Sequence, residues 1–148
     1  MIIDSHCHLN YEPMSLAIKE TIKRANNDGV KYLLTISTED KSFNKILDII
    51  SSNKCVYGSY GIHPHEAKNH LSINSEDIIK KININKKLIG IGESGLDFYY
   101  NYSDKNDQIR CFEEHITAAQ KTKIPIIVHT RNAETETYEI LKRKMSEK

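Results

Sequence analysis

Leu88 to Asp97 read Leu-Ile-Gly-Ile-Gly-Glu-Ser-Gly-Leu-Asp. The first four residues, Leu88 to Ile91, are apolar and read as a strand covered on both faces. Glu93 follows at once, set among glycines. A carboxylate in so small and apolar a setting is poorly explained as a solvated surface charge. The same arrangement recurs on either side. Downstream, the apolar strand Ile124 to Val128 (IPIIV) leads into His129-Thr130-Arg131. Upstream, a strand from Val56 to Ile62 leads through Gly61-Ile62 into His63-Pro64-His65. At the start of the chain, Ile2-Ile3 opens a short strand that runs into Asp4-Ser5-His6-Cys7-His8. Four strands thus end on an ionisable residue.

Helical stripes lie between the strands. Met14, Ile18, Ile22 and Ala25 recur at helical spacing, with Gly29 where a helix would stop. Val30 to Ser37 (VKYLLTIS) is β-branched and aromatic, and reads as a strand. Phe43, Ile46, Leu47 and Ile50 mark a second helix, and Asn74 to Ile84 a weaker, Asn-rich third. Ile109, Phe112, Ile116 and Ala119 mark a fourth. Glu134 to Met145 reads as a fifth, with Tyr138, Leu141 and Met145 inward. The charged run from Lys142 to Lys148 reads as a frayed helix end.

Alternating strands and helices mean a parallel sheet. The expectation is one α/β domain, residues 1–148, with about five βα units. Spacing alone leaves two architectures open, an open doubly wound sheet or part of a closed barrel. The ionisable strand ends favour the barrel, because in a (β/α)8 fold those ends converge on one face where sites are assembled.

Composition bounds the function. Lys plus Arg is 21 and Asp plus Glu is 20, for a formal charge of +1. That balance excludes a purely electrostatic nucleic-acid binder. A nucleic-acid enzyme stays open, since a bound divalent metal brings local positive charge. Cys7, Cys55 and Cys111 are odd in number and form no CxxC pair, and so read as reduced thiols. Met1 to His6 fits no signal peptide, and no apolar run approaches the roughly 20 residues of a membrane span. A cytoplasmic protein without membrane partners is expected.

His6 and His8 stand at i and i+2 on an extended chain, so both face one way and Cys7 the other. Two imidazoles side by side at a strand end are a ready pair of metal ligands. Asp4 shares their face and is expected to orient one of them. Alone, the pair is only a moderate signal. With Glu93 and His129 at neighbouring strand ends it becomes a site.

At this point the sequence resembles the TatD family of metal-dependent hydrolases. The match rests on Asp4-Ser5-His6-Cys7-His8-Leu9, Gly61-Ile62-His63-Pro64-His65, Gly90-Ile91-Gly92-Glu93-Ser94-Gly95-Leu96-Asp97, and Pro125 through His129-Thr130-Arg131. The resemblance implies a TIM-type (β/α)8 barrel and phosphodiester hydrolysis of DNA, with single-stranded DNA the expected partner. It implies His6, His8, Glu93 and His129 as metal ligands, with Glu93 also the catalytic carboxylate, bridging two metals or holding the second. His63 and Arg131 are implied as substrate-binding residues at phosphate. His65, His70 and His115 are expected at the surface, and Asp97 is expected to fix its loop. One or two divalent ions are implied. A His-rich site with one carboxylate suits zinc, manganese or iron, whereas the family is usually described as magnesium-dependent, so Mg, Mn and Zn all stand.

Another His-x-His barrel hydrolase, acting on amides, is the nearest enzyme alternative. Many of those place a carboxylated lysine where this chain has Glu93, which favours the TatD resemblance. One departure stands out. A (β/α)8 domain has about 250 residues, and the family pattern adds a His after a sixth strand and an Asp after an eighth, neither of which occurs in these 148 residues. The second expectation is therefore a truncated, catalytically inactive remnant or one half of a split enzyme. Five strands leave two unpaired edges, so a homo-oligomer or a companion C-terminal fragment is expected with it.

Overall fold

The five strands stand side by side in the order in which the sequence makes them. In the computed structural model, which describes residues 1–146, they are β1 (Ile2–Cys7), β2 (Val30–Thr35), β3 (Val56–Tyr60), β4 (Leu88–Asp97) and β5 (Ile126–Arg131), all parallel. Each crossover advances by one strand and none turns back. A doubly wound sheet reverses at its switch point, so this order is that of a sheet curling into a barrel. The crossovers carry α1 (Ile18–Asn27), α2 (Phe43–Ser52), α3 (Ser75–Ile82) and α4 (Lys105–Thr122), and α5 (Glu134–Ser146) follows β5.

Apolar stripes on α1 to α4 pack on the outer face of the sheet. The main core holds Ile22, Phe43, Ile46, Ile50, Val56, Ile78, Ile82, Leu88 and Ile91. A smaller cluster of Leu96, Phe112, Ile116, Ala133 and Ile140 lies under α4 and α5. The concave face is less covered: Ile3, Tyr32 and Ile89 are exposed there and line a cavity of about 370 Å³. No helix among the described residues is long and apolar enough to cross a membrane.

Several boundaries differ from the sequence expectation, each for a physical reason. The first helix starts at Ile18 because Ala17 leaves helical dihedrals (φ −140°, ψ 47°), and Met14 sits half exposed in a separate 3-10 turn. The third strand stops at Tyr60 and the fifth continues to Arg131. The fourth strand does not stop at Ile91. Ser94 to Asp97 pair in register with Val128 to Arg131 and carry it to Asp97. Its glycines look like loop residues in sequence, but here they let two backbones close up. A Cβ on Gly95 (φ +151°) would lie 2.0 Å from the His129 carbonyl oxygen, and one on Gly61 would lie 2.3 Å from Gly92 Cα.

β5 was expected to be covered on both faces. It is half exposed, and among the described residues it stands at the edge of the sheet beside β4. In α5 Thr137 and Ile140 are buried and Leu141 packs against the same cluster as expected, while Tyr138 and Met145 are 60% and 73% exposed. The Thr137 hydroxyl bonds that of Thr130 on β5 at 3.0 Å, so the face turned to the sheet runs through Thr137, Ile140 and Leu141. The charged run that closes the sequence is helical through Ser146, and its last two residues lie outside the described residues.

Candidate metal centre

The C-terminal ends of β1, β3, β4 and β5 meet over a cavity of about 440 Å³. His6, His8, His63, His65, Glu93 and His129 line it, with Tyr11, Thr38, Glu39 and Glu66. Strand alternation delivers the first pair. The His6 and His8 rings lie edge to face at 5.3 Å, while Cys7 points away into the core and donates its thiol proton to the Leu34 carbonyl at 3.4 Å. His8 donates Nδ1–H to the Ile36 carbonyl at 3.2 Å, which fixes its tautomer and leaves the Nε2 lone pair free. Asp4 does not orient either ring. Its Oδ1 accepts the His6 backbone N–H at 3.1 Å within β1.

Glu93 stands between two groups of imidazoles. Its backbone N–H donates to the Ser37 carbonyl at 2.9 Å, tying β4 to the end of β2. Oε2 lies 3.4 Å from His6 Nε2 and Oε1 lies 3.2 Å from His129 Nδ1. Burial alone would raise its pKa. The His129 hydrogen bond and the nearby His63 and His6 outweigh burial and hold the carboxyl below its usual range. Glu93 is therefore ionised at neutral pH.

His129 spans two carboxylates, with Nδ1 toward Glu93 and Nε2 at 3.1 Å from Asp97 Oδ2. The Glu93 hydrogen bond, opposed by burial and reinforced by Asp97, raises its pKa. Without a metal ion, this spot attracts positive charge. Asp97 is fully buried. It fixes its loop as expected, its Oδ1 accepting the N–H groups of Tyr99 and Tyr100 at 3.2 and 3.0 Å. It also receives His65 Nε2–H at 2.8 Å, a role not foreseen. Burial works against its charge, but the Tyr100 N–H and the two imidazoles keep its pKa low.

His63 sits at the end of β3, with Nε2 3.2 Å from His129 Nδ1. Its Nδ1 accepts the His65 backbone N–H at 3.2 Å. Burial pushes its pKa down to about 4, so the ring is neutral and carries its proton on Nε2. A residue expected at the surface sets its position. His115 is fully buried on α4, its Nδ1–H donating to the Cys111 carbonyl at 2.7 Å and its Nε2 accepting the Ile62 N–H at 3.1 Å. Cys111, His115 and Ala118 share the i, i+4, i+7 face, a signal present in the sequence but hidden by the habit of reading histidine as polar. His65, also expected at the surface, is half-buried in the cavity wall, drawn in by Asp97. His70 is half-buried too. Arg131 ends β5 outside the cavity lining, its guanidinium 5.2 Å from the Tyr100 ring centre.

The donor set fits a divalent cation. Two groups of ligand atoms lie within 4.8 Å of one another, His6, His8 and Glu93 in the first and His63, Glu93 and His129 in the second, with Glu93 common to both. The carboxylate is ionised and the His8 tautomer is fixed, the forms that ligation needs. His129, with Nε2–H on Asp97, would offer Nδ1 beside Glu93 Oε1 once a cation displaces the proton that Nδ1 shares with that carboxylate. His63 fits less well as a ligand, because its Nδ1 is already an acceptor and its proton sits on Nε2.

Comparison with known proteins gives the family and the fold. An uncharacterized metal-dependent hydrolase of Buchnera aphidicola is 39% identical over 99% of this chain and 59% of its own length. The 3'-5' ssDNA/RNA exonuclease TatD of Salmonella typhimurium is 32% identical over 77% of this chain and 44% of its own. The crystal structure of YJJV, a TatD homolog from Escherichia coli, superposes with a TM-score of 0.82 at 25% identity, over 97% of this chain and 56% of that one. The chain spans between 44% and 59% of the length of these curated relatives. A family model described as "TatD related DNase" matches residues 3–148, and the chain belongs to that family.

Proposed function

We propose that this chain carries the metal cradle of a hydrolase that cleaves phosphodiester bonds of DNA. One observation carries the proposal: the Glu93 carboxylate is shared between the His6/His8 pair and His129, so two groups of donors converge on one ionised carboxylate. Support for the substrate comes from the Salmonella relative, named as an exonuclease on single-stranded DNA and RNA.

His6, His8, Glu93 and His129 would hold one or two divalent ions, with Mg, Mn or Zn all compatible with the donors. When bound, such an ion supplies a Lewis acid for a phosphoryl oxygen and lowers the pKa of a coordinated water. Ionised Glu93 holds the two halves of the cradle together. Asp97 holds the Nε2 proton of His129, so that Nδ1 is the nitrogen that would turn to a bound ion in place of its proton to Glu93. His63 presents Nε2–H to the cavity and serves as a donor to a phosphate oxygen. Arg131, just outside, is a cation for the next phosphate along a strand. Most of these contacts address phosphate rather than bases, so sequence preference would be weak.

The test is release of nucleotides from single-stranded DNA with added Mn²⁺ or Mg²⁺, run beside Glu93→Gln. Metal-dependent release that Glu93→Gln abolishes supports the proposal, and soluble, metal-loaded protein without release counts against catalysis by this chain alone. The second outcome favours the remnant or split-enzyme reading. The unpaired edges of β1 and β5 and the exposed Ile3, Tyr32 and Ile89 speak for a covering partner: strands from elsewhere in the protein, a second copy or a companion chain. Sedimentation of the purified chain distinguishes a self-associating species from a monomer.

A further inference from the structure

Across His65 from the cavity, the loop joining β4 to α4 shows three tyrosine rings to solvent. Tyr99, Tyr100 and Tyr102 are 61%, 37% and 53% exposed. The Tyr100 and Tyr102 rings lie nearly parallel, 16° apart with centres at 5.4 Å, and Tyr99 meets Tyr100 edge-on at 4.7 Å. Large aromatic faces in a loop usually turn inward to escape water, and here rigid anchoring holds them out. Asp97 Oδ1 takes the N–H groups of Tyr99 and Tyr100, and the Ser103 hydroxyl donates to the His65 carbonyl at 2.9 Å. Gln108 donates to the carbonyls of Asp97 and Ser103 at 3.1 and 3.0 Å.

The shelf joins the candidate metal centre through one shared wall. His65 lines the cavity, and its ring packs against Tyr102 at 4.7 Å and Tyr100 at 5.6 Å. Arg131 lies over Tyr100 at 5.2 Å and Tyr99 at 6.0 Å, which places a cation among the rings. An aliphatic patch would fit a protein or lipid surface. Flat π-faces with a guanidinium beside them, next to a His- and Glu-lined cavity, fit a strand of bases joined by phosphates.

We propose that Tyr99, Tyr100 and Tyr102 form a base-stacking platform for a single-stranded nucleic acid whose scissile phosphate lies in the His/Glu cavity, with Arg131 meeting a neighbouring phosphate. The inference rests on the reading of that cavity as a phosphodiester site. Stacking needs only the π-face that every base has, so the platform would grip a strand without selecting its sequence. Duplex DNA hides those faces, so the shelf would favour single strands.

The test is binding by fluorescence anisotropy in EDTA at low salt, where hydrolysis is off. The probes are a labelled oligothymidylate roughly twelve nucleotides long and an abasic strand of equal length and charge. Wild type is expected to hold the oligothymidylate about tenfold tighter than the abasic strand. Tyr102→Ala and Tyr99→Ala should each lose several-fold on the oligothymidylate alone, and Tyr102→Trp should restore it. Circular dichroism checks that the variants fold. Equal affinity of wild type for the two strands would overturn the inference, as would Tyr102→Ala binding like wild type. Hydrolysis of bis(4-nitrophenyl) phosphate by wild type with Mn²⁺, which needs no base stacking, reads the cavity separately. Failure there falls on the hydrolase reading and not on the shelf.

Discussion

His115 offers a prediction with two arms. Replacing it with Leu keeps volume in the core but removes the acceptor for the buried Ile62 N–H. An orphaned buried amide costs about 1–3 kcal/mol, so His115→Leu should be about 2 kcal/mol less stable than wild type at pH 7.5. The second arm is pH. Burial lowers the folded-state pKa of His115 to about 4 from 6.5. Above 6.5 the ring is neutral in both states and contributes no pH dependence. Below 6.5 the unfolded chain takes a proton that the fold refuses, so wild type loses about 1.4 kcal/mol per pH unit through this residue, roughly 3 kcal/mol by pH 4. His63 titrates alike in both proteins and cancels in the comparison. The deficit of His115→Leu should therefore shrink as pH falls and vanish near pH ~5. Urea unfolding in EDTA, followed by circular dichroism from pH 7.5 to 4.5, measures it. Parallel stability curves for the two proteins, or no loss at pH 7.5, would refute the assigned hydrogen bond and tautomer.

Other perturbations have equally definite outcomes. Asp97→Asn keeps the shape of the buried carboxylate but loses the acceptor that directs His129, and should weaken Mn²⁺ binding roughly 10- to 100-fold by calorimetry. Gly95→Ala would press a Cβ within 2.0 Å of the His129 carbonyl oxygen. It should open the β4–β5 pairing at the cavity, and thermal denaturation should show a loss well beyond the roughly 0.5 kcal/mol of an ordinary surface change. Metal binding should strengthen from pH 6 to 8 and release protons, because the raised pKa of His129 leaves it partly protonated at the lower end. Titrations in buffers of different ionisation enthalpy count those protons.

The strand and helix order was legible because each element carries its own period, and the candidate donors because each lies at or near the C-terminal end of a strand. What the sequence hid was polar residues serving structure. His115 lies on the buried face of α4 because the Ile62 amide and the Cys111 carbonyl satisfy both its nitrogens. Asp97 reads as a loop anchor from its neighbours, and its second oxygen reaches His65 and His129 only after β4 has been drawn alongside β5. Gly92 and Gly95 read as a loop because glycine is rare in strands, yet they permit the close backbone approach that continues β4 past Glu93. The α5 stripe was legible at Leu141 but not at Tyr138 or Met145, because the helix turns Thr137 and Ile140 to the core, where a hydroxyl pair and an apolar cluster hold them.

The central claim is that Glu93 joins two groups of metal donors. Its most direct test is the stoichiometry of Mn²⁺ on metal-stripped protein, measured by calorimetry and checked by elemental analysis, for wild type and Glu93→Gln. One or two equivalents on wild type, with Glu93→Gln losing one of them or binding at least tenfold more weakly, is the predicted result. Wild type that binds no ion, or Glu93→Gln that binds as many as wild type and as tightly, would contradict it.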